Sequence, residues 1–371
     1  MIYEIRSKVL AGDRLTTAEG AHLLVEANLL ELGALANEVR FVRSPEPVVT
    51  YVVDTNLNYT NLCDAYCSFC AFYRPHTSTA SDAYTHTIAE MVEAIGRARD
   101  LGCTTVLMQG GLNPELPFSY YTDMVRASLE AYPDVTPHFW SPPEIYEMKQ
   151  VSGLGYEEVL GALWDAGQRT LPGGGAEVLT NRVRQKISPL KMDADEWIEI
   201  ERSAHKVGFC GTATMMYGHV EDDDDIIEHL DRIRDLQDEG HRGRFHAFVP
   251  WSFSPGKTPL GRRIKGKRAG PNRYLRLLAV ARLYLDNFDH VDASWFSEGK
   301  KTGQVALHFG ADDFGGTLFD ENVMNEAGHY NRTTAEEVRQ MIRDSGFIPA
   351  QRNSQYETLR VFDREPAAVV A

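Results

Sequence analysis

Cysteine is scarce in this chain, five among 371 residues, and an odd count in so long a chain excludes a disulfide-stapled scaffold. Cations are in deficit as well. With 38 Lys and Arg against 53 Asp and Glu, the formal charge is -15, which argues against a nucleic-acid partner, since phosphate backbones reward clustered cations. Long apolar runs are missing, so no segment reads as a helix inserted stably across a bilayer. Glu4 and Arg6 come too early for a signal peptide. With free thiols, these features imply a reducing, cytoplasmic setting. The one basic run, G-R-R-I-K-G-K-R from Gly261 to Arg268, reads as a loop that faces solvent or meets an anionic group.

Three of the few cysteines stand together in C-D-A-Y-C-S-F-C, from Cys63 to Cys70, after an extended-looking stretch (V-V-T-Y-V-V-D-T, Val48 to Thr55) and a turn-prone one (N-L-N-Y-T-N, Asn56 to Asn61). Zinc sites pair C-x₂₋₄-C with a second pair or with histidines. Here only His76 follows, among Thr and Ser, and Cys103 sits in an apolar segment. Iron–sulfur clusters are normally held by four cysteines. Cys63, Cys67 and Cys70 can hold three irons of a 4Fe–4S cluster and leave the fourth open to a reactant. Cys103 and Cys210 are expected to be non-ligands.

Strand-like and helix-like runs alternate along the chain. Strands are expected at 49–55, 103–109, 135–140, 168–172, 211–216, 245–250, 289–295 and 305–310, short and mostly apolar as in a parallel sheet covered by helices. Helices are expected at 16–41 and near 85–101, 119–131, 143–151, 193–207, 223–238 and 272–287. The pattern predicts an α/β fold, a (β/α)8 TIM-type barrel. Residues 1–45 would form an N-terminal helical cap, 46–318 the barrel, and 319–371 a C-terminal helical extension packed on it.

Barrel active sites lie beyond the C-terminal strand ends, and the polar motifs fall there. After the cysteines come Q-G-G-L-N-P (Gln109 to Pro114), S-P-P-E (Ser141 to Glu144) and P-G-G-G-A-E (Pro172 to Glu177). Y-G-H-V-E (Tyr217 to Glu221), W-S-F-S-P-G (Trp251 to Gly256), D-A-S-W (Asp292 to Trp295) and G-A-D-D (Gly310 to Asp313) complete the circle. An open iron chelated by an amino and a carboxylate group is how S-adenosylmethionine would bind. Gln109, Gly110 and Gly111 allow close backbone approach to its methionine part. Glu177 could accept from its ribose hydroxyls or ammonium, or merely satisfy a helix start. Ser141 and Tyr73, the latter beside the third cysteine with Phe69 and Phe72, complete the expected cofactor contacts. His219, Glu221, Glu144, Asp292 and Asp312 are the candidates for proton handling. Phe139, Trp140, Trp251, Phe253 and Trp295 at strand ends suit a bulky, partly aromatic substrate, whereas His205 and His308 read as structural.

The run N-L-N-Y-T-N-L-C-D-A-Y-C-S-F-C-A-F-Y-R, from Asn56 to Arg74, resembles the radical S-adenosylmethionine superfamily, and more narrowly its futalosine branch of menaquinone biosynthesis. Q-G-G-L-N-P from Gln109, F-W-S-P-P-E from Phe139, L-P-G-G-G-A-E-V-L from Leu171 and T-A-T-M-M-Y-G-H-V-E from Thr212 share that resemblance. F-V-P-W-S-F-S-P-G-K-T from Phe248, G-Q-V-A-L-H-F-G-A-D-D from Gly303 and P-A-Q-R-N-S-Q-Y-E from Pro349 extend it over nearly the full chain. It implies a cyclase. A deoxyadenosyl radical would take hydrogen from the ribose 4′ carbon of dehypoxanthinylfutalosine, the carbon radical would close onto the benzoate ring, and loss of an electron and a proton would finish the product. It also implies a reduced flavodoxin or ferredoxin-type electron donor. Two other enzymes share the scaffold: aminofutalosine synthase, expected to lack the P-W-S-F-S-P run that starts here at Pro250, and the deazaflavin-forming synthase subunit. A cluster-bearing electron-transfer protein would need a fourth ligand, and a zinc-stabilised module would be indifferent to oxygen.

Overall fold

The computed structural model describes residues 2–320, 322–328 and 332–362; the ends of the expected cap and extension, Met1 and 363–371, lie outside the described residues, as do 321 and 329–331. Among the described residues no helix is long and apolar enough to cross a membrane.

Eleven strands are present among the described residues: β1 Val48–Val52, β2 Asp54–Leu57, β3 Thr105–Met108, β4 Thr136–Phe139, β5 Thr170–Leu171, β6 Cys210–Tyr217, β7 Phe245–Ser252, β8 His290–Val291, β9 Asp313–Gly316, β10 Ile348–Arg352 and β11 Thr358–Val361. The parallel ladders run β2-β3-β4 and β5-β6-β7-β8, with β9 on β1. A single parallel bridge, Asp292 to Asp313, joins β8 to β9. Between β4 and β5 there is no ladder among the described residues; the Gln168 amide donating to Phe139 O at 2.6 Å and a 2.9 Å contact of His138 Nδ1 with Thr170 Oγ1 span that seam instead. The result is a partial β/α barrel with helical extensions. Period-2 alternation explains the wall: on β6, Thr212 and Thr214 line the lumen while Ala213 and Met215 are buried on the other face.

The expected strand at 305–310 is corrected. Its apolar residues belong to the helix Lys300–Ala306 and the turn after it, where Gly310 takes φ 101°, and the next strand after β8 is β9. The run V-A-L-H-F, from Val305 to Phe309, is a short apolar stretch of the kind periodicity cannot assign. Packing decides it, because Gly303 lies so close to Trp295 that an added Cβ would stand 2.7 Å from the tryptophan Cβ. The expected strand 49–55 is split at Val53 into β1 and β2, and the expected helix 16–41 breaks before Asn28, whose Oδ1 accepts from Leu30 and Glu31 to cap a second helix.

The C-terminal segment carries the helix Ala335–Asp344, and it adds strands that the pattern did not predict. β10 lies parallel to β1, with Val48 opposite Ile348 and Val52 opposite Arg352, and β11 folds back antiparallel. Pro349 hid this strand, since proline demotes a strand reading to an edge. After β10 the chain enters the barrel from the N-terminal end of its strands. There Ser354 meets Thr170 at 3.2 Å and the Tyr356 ring stacks on His290 at 4.8 Å.

Candidate active site

The loop after β2 carries the cysteines, and a network of its own folds it. Cys63 N donates to Arg74 O at 2.8 Å and Arg74 N to Asn61 O at 2.7 Å. The Arg74 guanidinium also donates to the carbonyls of Phe72 and Tyr73, at 3.2 and 3.0 Å. Cys70 N reaches Cys67 O at 3.1 Å, and Tyr66 holds φ 48°, a left-handed turn unusual for a bulky residue. Cys67 is buried and Cys63 and Cys70 half-buried. Burial pushes all three thiols up; Cys63 and Cys70 add to the rise at Cys67, Cys63 adds to that at Cys70, and Lys191 draws all three down. Among the described residues no three His, Cys, Asp or Glu side chains are gathered to grip a single metal ion. Three soft thiols on one short loop, buried or half-buried, fit a cluster that takes one thiol per iron. Cys103 and Cys210 lie at the other ends of the strands, before β3 and at the start of β6.

The glycine pair after β3 braces this loop. Gly111 N donates to Thr60 O at 2.9 Å, and a Cβ on Gly111 would stand 2.0 Å from Leu62 O and 2.9 Å from the Cys63 Cβ. Gly111→Ala is therefore expected to push the cysteine loop outward, costing about 1–3 kcal/mol as overpacking does. Iron content after anaerobic reconstitution should fall sharply, and a variant that loads iron normally would contradict this placement. Gly110 N donates to Glu144 Oε1 at 2.9 Å, while Glu144 Oε2 accepts from both N and Oγ of Ser141 at 2.7 Å. Glu144 thus ties the glycine pair to the start of the helix Pro142–Ser152, a capping box. Burial raises it to about 7 despite these donors.

Glu177, at φ 45°, ends the glycine-rich run after β5, and its carboxylate meets Lys191 Nζ at 2.9 Å and Arg184 Nη1 at 3.4 Å. Burial works against charge on Lys191, but Glu177 and Cys67 outweigh it and hold the ammonium protonated. Lys191 therefore stands between the cysteine loop and Glu177. Neither it nor Arg184 was marked by the sequence, because S-P-L-K-M-D, from Ser188 to Asp193, has no pattern that points inward.

A cavity of about 250 Å³ runs down the lumen, from Gln109, Gly174 and Glu177 at the cysteine end, past Thr214, Val249 and Trp251, to Asp54, Asp292, Arg352 and Tyr356. Gln109, Ser141 and Gly174 converge at its mouth: a Cβ on Gly174 would lie 2.4 Å from Gln109 Nε2 and 3.2 Å from the Ser141 Cβ. Of the predicted side chains, Gln109, Glu177, Trp251 and Asp292 line the cavity. Arg352 Nε and Nη2 grip Asp313 at 2.5 and 2.8 Å, and the Tyr356 hydroxyl donates to Asp292 Oδ1 at 3.2 Å. Burial, then the neighbouring Asp313, pushes Asp292 well above the carboxylate range. Burial raises Asp54 to about 6, against the donors Leu318 N and Thr317. Sequence reasoning missed Asp54, although a lone acid within V-V-D-T was a visible signal of an inward polar group.

Asp54 sets a pH dependence. It holds its proton more tightly folded than unfolded, so its contribution is fully present below about 3.8 and is lost as pH rises through about 6. That loss amounts to roughly 3 kcal/mol. Urea midpoints of the parent should fall between pH 4 and 6.5 by more than those of Asp54→Asn. Parallel profiles would contradict the assignment.

The other predicted residues stay outside the cavity lining. His219 is locked by backbone, its Nδ1 accepting from Val220 N at 2.7 Å and its Nε2 lying 2.9 Å from Met216 O; burial lowers its pKa. Glu221 accepts from Gly218 N and His219 N at 2.6 and 2.9 Å. Asp312 meets Arg282 at 2.5 Å and His290 at 3.0 Å; burial opposes its charge, but these partners win and hold it below the usual range. Tyr73 packs edge-on against Tyr66 at 5.6 Å.

Partial barrel, cysteine loop and lumen together define a radical S-adenosylmethionine enzyme. Residues 57–233 match the model of the radical SAM superfamily, and residues 242–364 match that of the CofH/MqnC C-terminal region. The cyclic dehypoxanthine futalosine synthase of Halalkalibacterium halodurans is 39% identical over 364 residues, covering 98% of this chain and 96% of its own. The 5-amino-6-(D-ribitylamino)uracil–L-tyrosine 4-hydroxyphenyl transferase of Methanopyrus kandleri is 41% identical over 319 residues, covering 85% of each. The crystal structure of methylornithine synthase (PylB) superposes with a TM-score of 0.70 at 19% identity over 93% of this chain and 97% of that one, a likeness of fold. The chain belongs to the radical SAM superfamily, in the family of futalosine-pathway synthases.

Proposed function

We propose that this chain converts dehypoxanthinylfutalosine into its cyclic form, with S-adenosylmethionine consumed as oxidant. The carrying observation is the run P-W-S-F-S-P, from Pro250 to Pro255 at the end of β7, which the aminofutalosine branch is expected to lack and whose Trp251 faces the lumen. Cys63, Cys67 and Cys70 would hold a 4Fe–4S cluster. That cluster would supply the electron that cleaves S-adenosylmethionine, with the hydrogen abstraction that follows.

The chain's own residues orient and exclude water. Gln109, Ser141 and the Gly110–Gly111 backbone form the mouth where the methionine part of the cofactor rests. Glu177, fixed by Lys191 and Arg184, receives ribose hydroxyls or the ammonium group. Trp251 and Phe296 flank the benzoate ring, and the narrow lumen keeps the two joining carbons near contact, the entropic advantage of a bound near-attack geometry. Asp54 takes the final proton. A base works best with a pKa near or just below the operating pH, and about 6 suits Asp54, whereas Asp292 stays protonated and hydrogen-bonds substrate. His219, Glu221, Glu144 and Asp312 shape the rim and the wall.

The test is an anaerobic comparison of substrates. Dehypoxanthinylfutalosine should stimulate 5′-deoxyadenosine release and yield a product two hydrogens lighter. Stimulation instead by an enolpyruvyl benzoate, or by tyrosine with a ribityl-aminouracil, would move the chain to a sister activity.

A further inference from the structure

The basic run that the catalytic reading leaves unused lies against the cysteine loop. Leu260 N donates to Ser68 O at 2.8 Å, and Ser68 lies between Cys67 and Cys70. Arg263 donates to Ser68 Oγ at 3.2 Å and to Lys186 O at 2.9 Å. On the other side, Ser68 N and Oγ both reach Ile187 O at 2.8 Å. Lys186, Lys257, Arg262, Arg263, Lys265 and Lys267 are all exposed. Among the described residues none of the six forms an ion pair with a carboxylate at this face, unlike Arg14, which is held by Asp238 and Asp286. In a chain of net charge -15, this is a local reversal of sign. Leu190 and Tyr66, 67% and 41% exposed, add apolar surface next in sequence to residues of the same loop contacts.

We infer that this face docks an acidic, low-potential one-electron carrier protein of the flavodoxin or ferredoxin type, placing its redox group over the cysteine loop. The inference rests on the cluster reading above. The net reaction is redox-neutral, because the electron that the cyclised radical loses can return to the cluster or to the oxidised carrier. Turnover begins, however, only once the cluster has taken one electron from outside. That electron leaves the reduced carrier, which is oxidised by one electron, and enters the cluster; no bond forms or breaks at the docking face. Unpaired cations attract an acidic partner over a distance and orient it, an effect that reaches about 10- to 1,000-fold in association rate and weakens with salt. A cationic rim with a small apolar centre matches such a short-lived encounter.

The test uses the reconstituted full chain, flavodoxin hydroquinone as donor, and the variant Arg262→Glu/Lys265→Glu/Lys267→Glu. At low ionic strength the variant should accept electrons from flavodoxin about 10-fold more slowly or worse, and lose the salt dependence of the parent. Flavodoxin binding, read by calorimetry, should weaken about as much. Iron content and dithionite-driven S-adenosylmethionine cleavage should be unchanged. An unchanged flavodoxin rate would overturn the inference, as would equal loss with dithionite, which would make the loop part of the active site. Binding of the parent to phosphatidylglycerol vesicles, with an unaltered flavodoxin rate in the variant, would also overturn it and reassign the face to lipid. If the parent itself held no iron, the cluster reading would fail instead.

Discussion

Cys67→Ala is expected to reduce S-adenosylmethionine cleavage to background, while Cys103→Ala retains both iron and cleavage. Cys67 is the middle thiol of the loop, buried and under the charge of Cys63, Cys70 and Lys191. Two remaining protein thiols cannot replace it, since a cluster already one ligand short of the usual four would be left with half its anchors. Cys103 is also buried, but the charges that reach it are Asp54 and Asp320, so its loss removes only a packed thiol. Iron per chain, the low-temperature spectrum of the reduced protein and 5′-deoxyadenosine yield read the two variants independently. Full cleavage by Cys67→Ala, or iron loss from Cys103→Ala alone, would break the assignment.

Arg352→Met should cost about 3–5 kcal/mol of stability, because removing one partner of a buried ion pair strands the other. Asp313 is fully buried and accepts from Arg352, from Thr50 Oγ1 at 2.5 Å and from Gly315 N at 2.7 Å. Arg352 also stacks its guanidinium 3.7 Å from the centre of the Tyr356 ring. One substitution therefore unsettles β9, β10 and the segment that closes the lumen floor. A urea titration at neutral pH reads the effect as a lowered midpoint with an unaltered slope. A loss below about 1 kcal/mol, the range of exposed pairs, would show that water reaches this pair.

The alternation of short apolar runs with helical ones made the barrel legible, and glycines and acids at the strand ends marked its working rim. What stayed hidden has physical reasons. Lys191 comes from an irregular segment, and Arg184 from the helix Asn181–Ile187, too short at 7 residues for periodicity to tell inside from outside. β10 carries a proline, and its pairing with β1 joins residues far apart in the chain, Val48 with Ile348. The strand expected at 305–310 failed because a short apolar run obeys its neighbours rather than its own pattern. At the site, chemistry and spacing singled out the thiols and the glycine-rich turns. The acid–base candidates could not be ranked, since His219, Glu221, Glu144 and Asp312 differ from Asp292 in which way they face, and Asp54 was missed.

The most direct test of the central claim follows one hydrogen. Dehypoxanthinylfutalosine carrying deuterium at the ribose 4′ carbon is incubated anaerobically with the reconstituted, reduced protein and S-adenosylmethionine, and the 5′-deoxyadenosine is weighed by mass spectrometry. Deuterium in the deoxyadenosine, together with a cyclic product that has lost the label, is the predicted result. Unlabelled deoxyadenosine, or an adduct that contains the adenosyl group, would contradict the account.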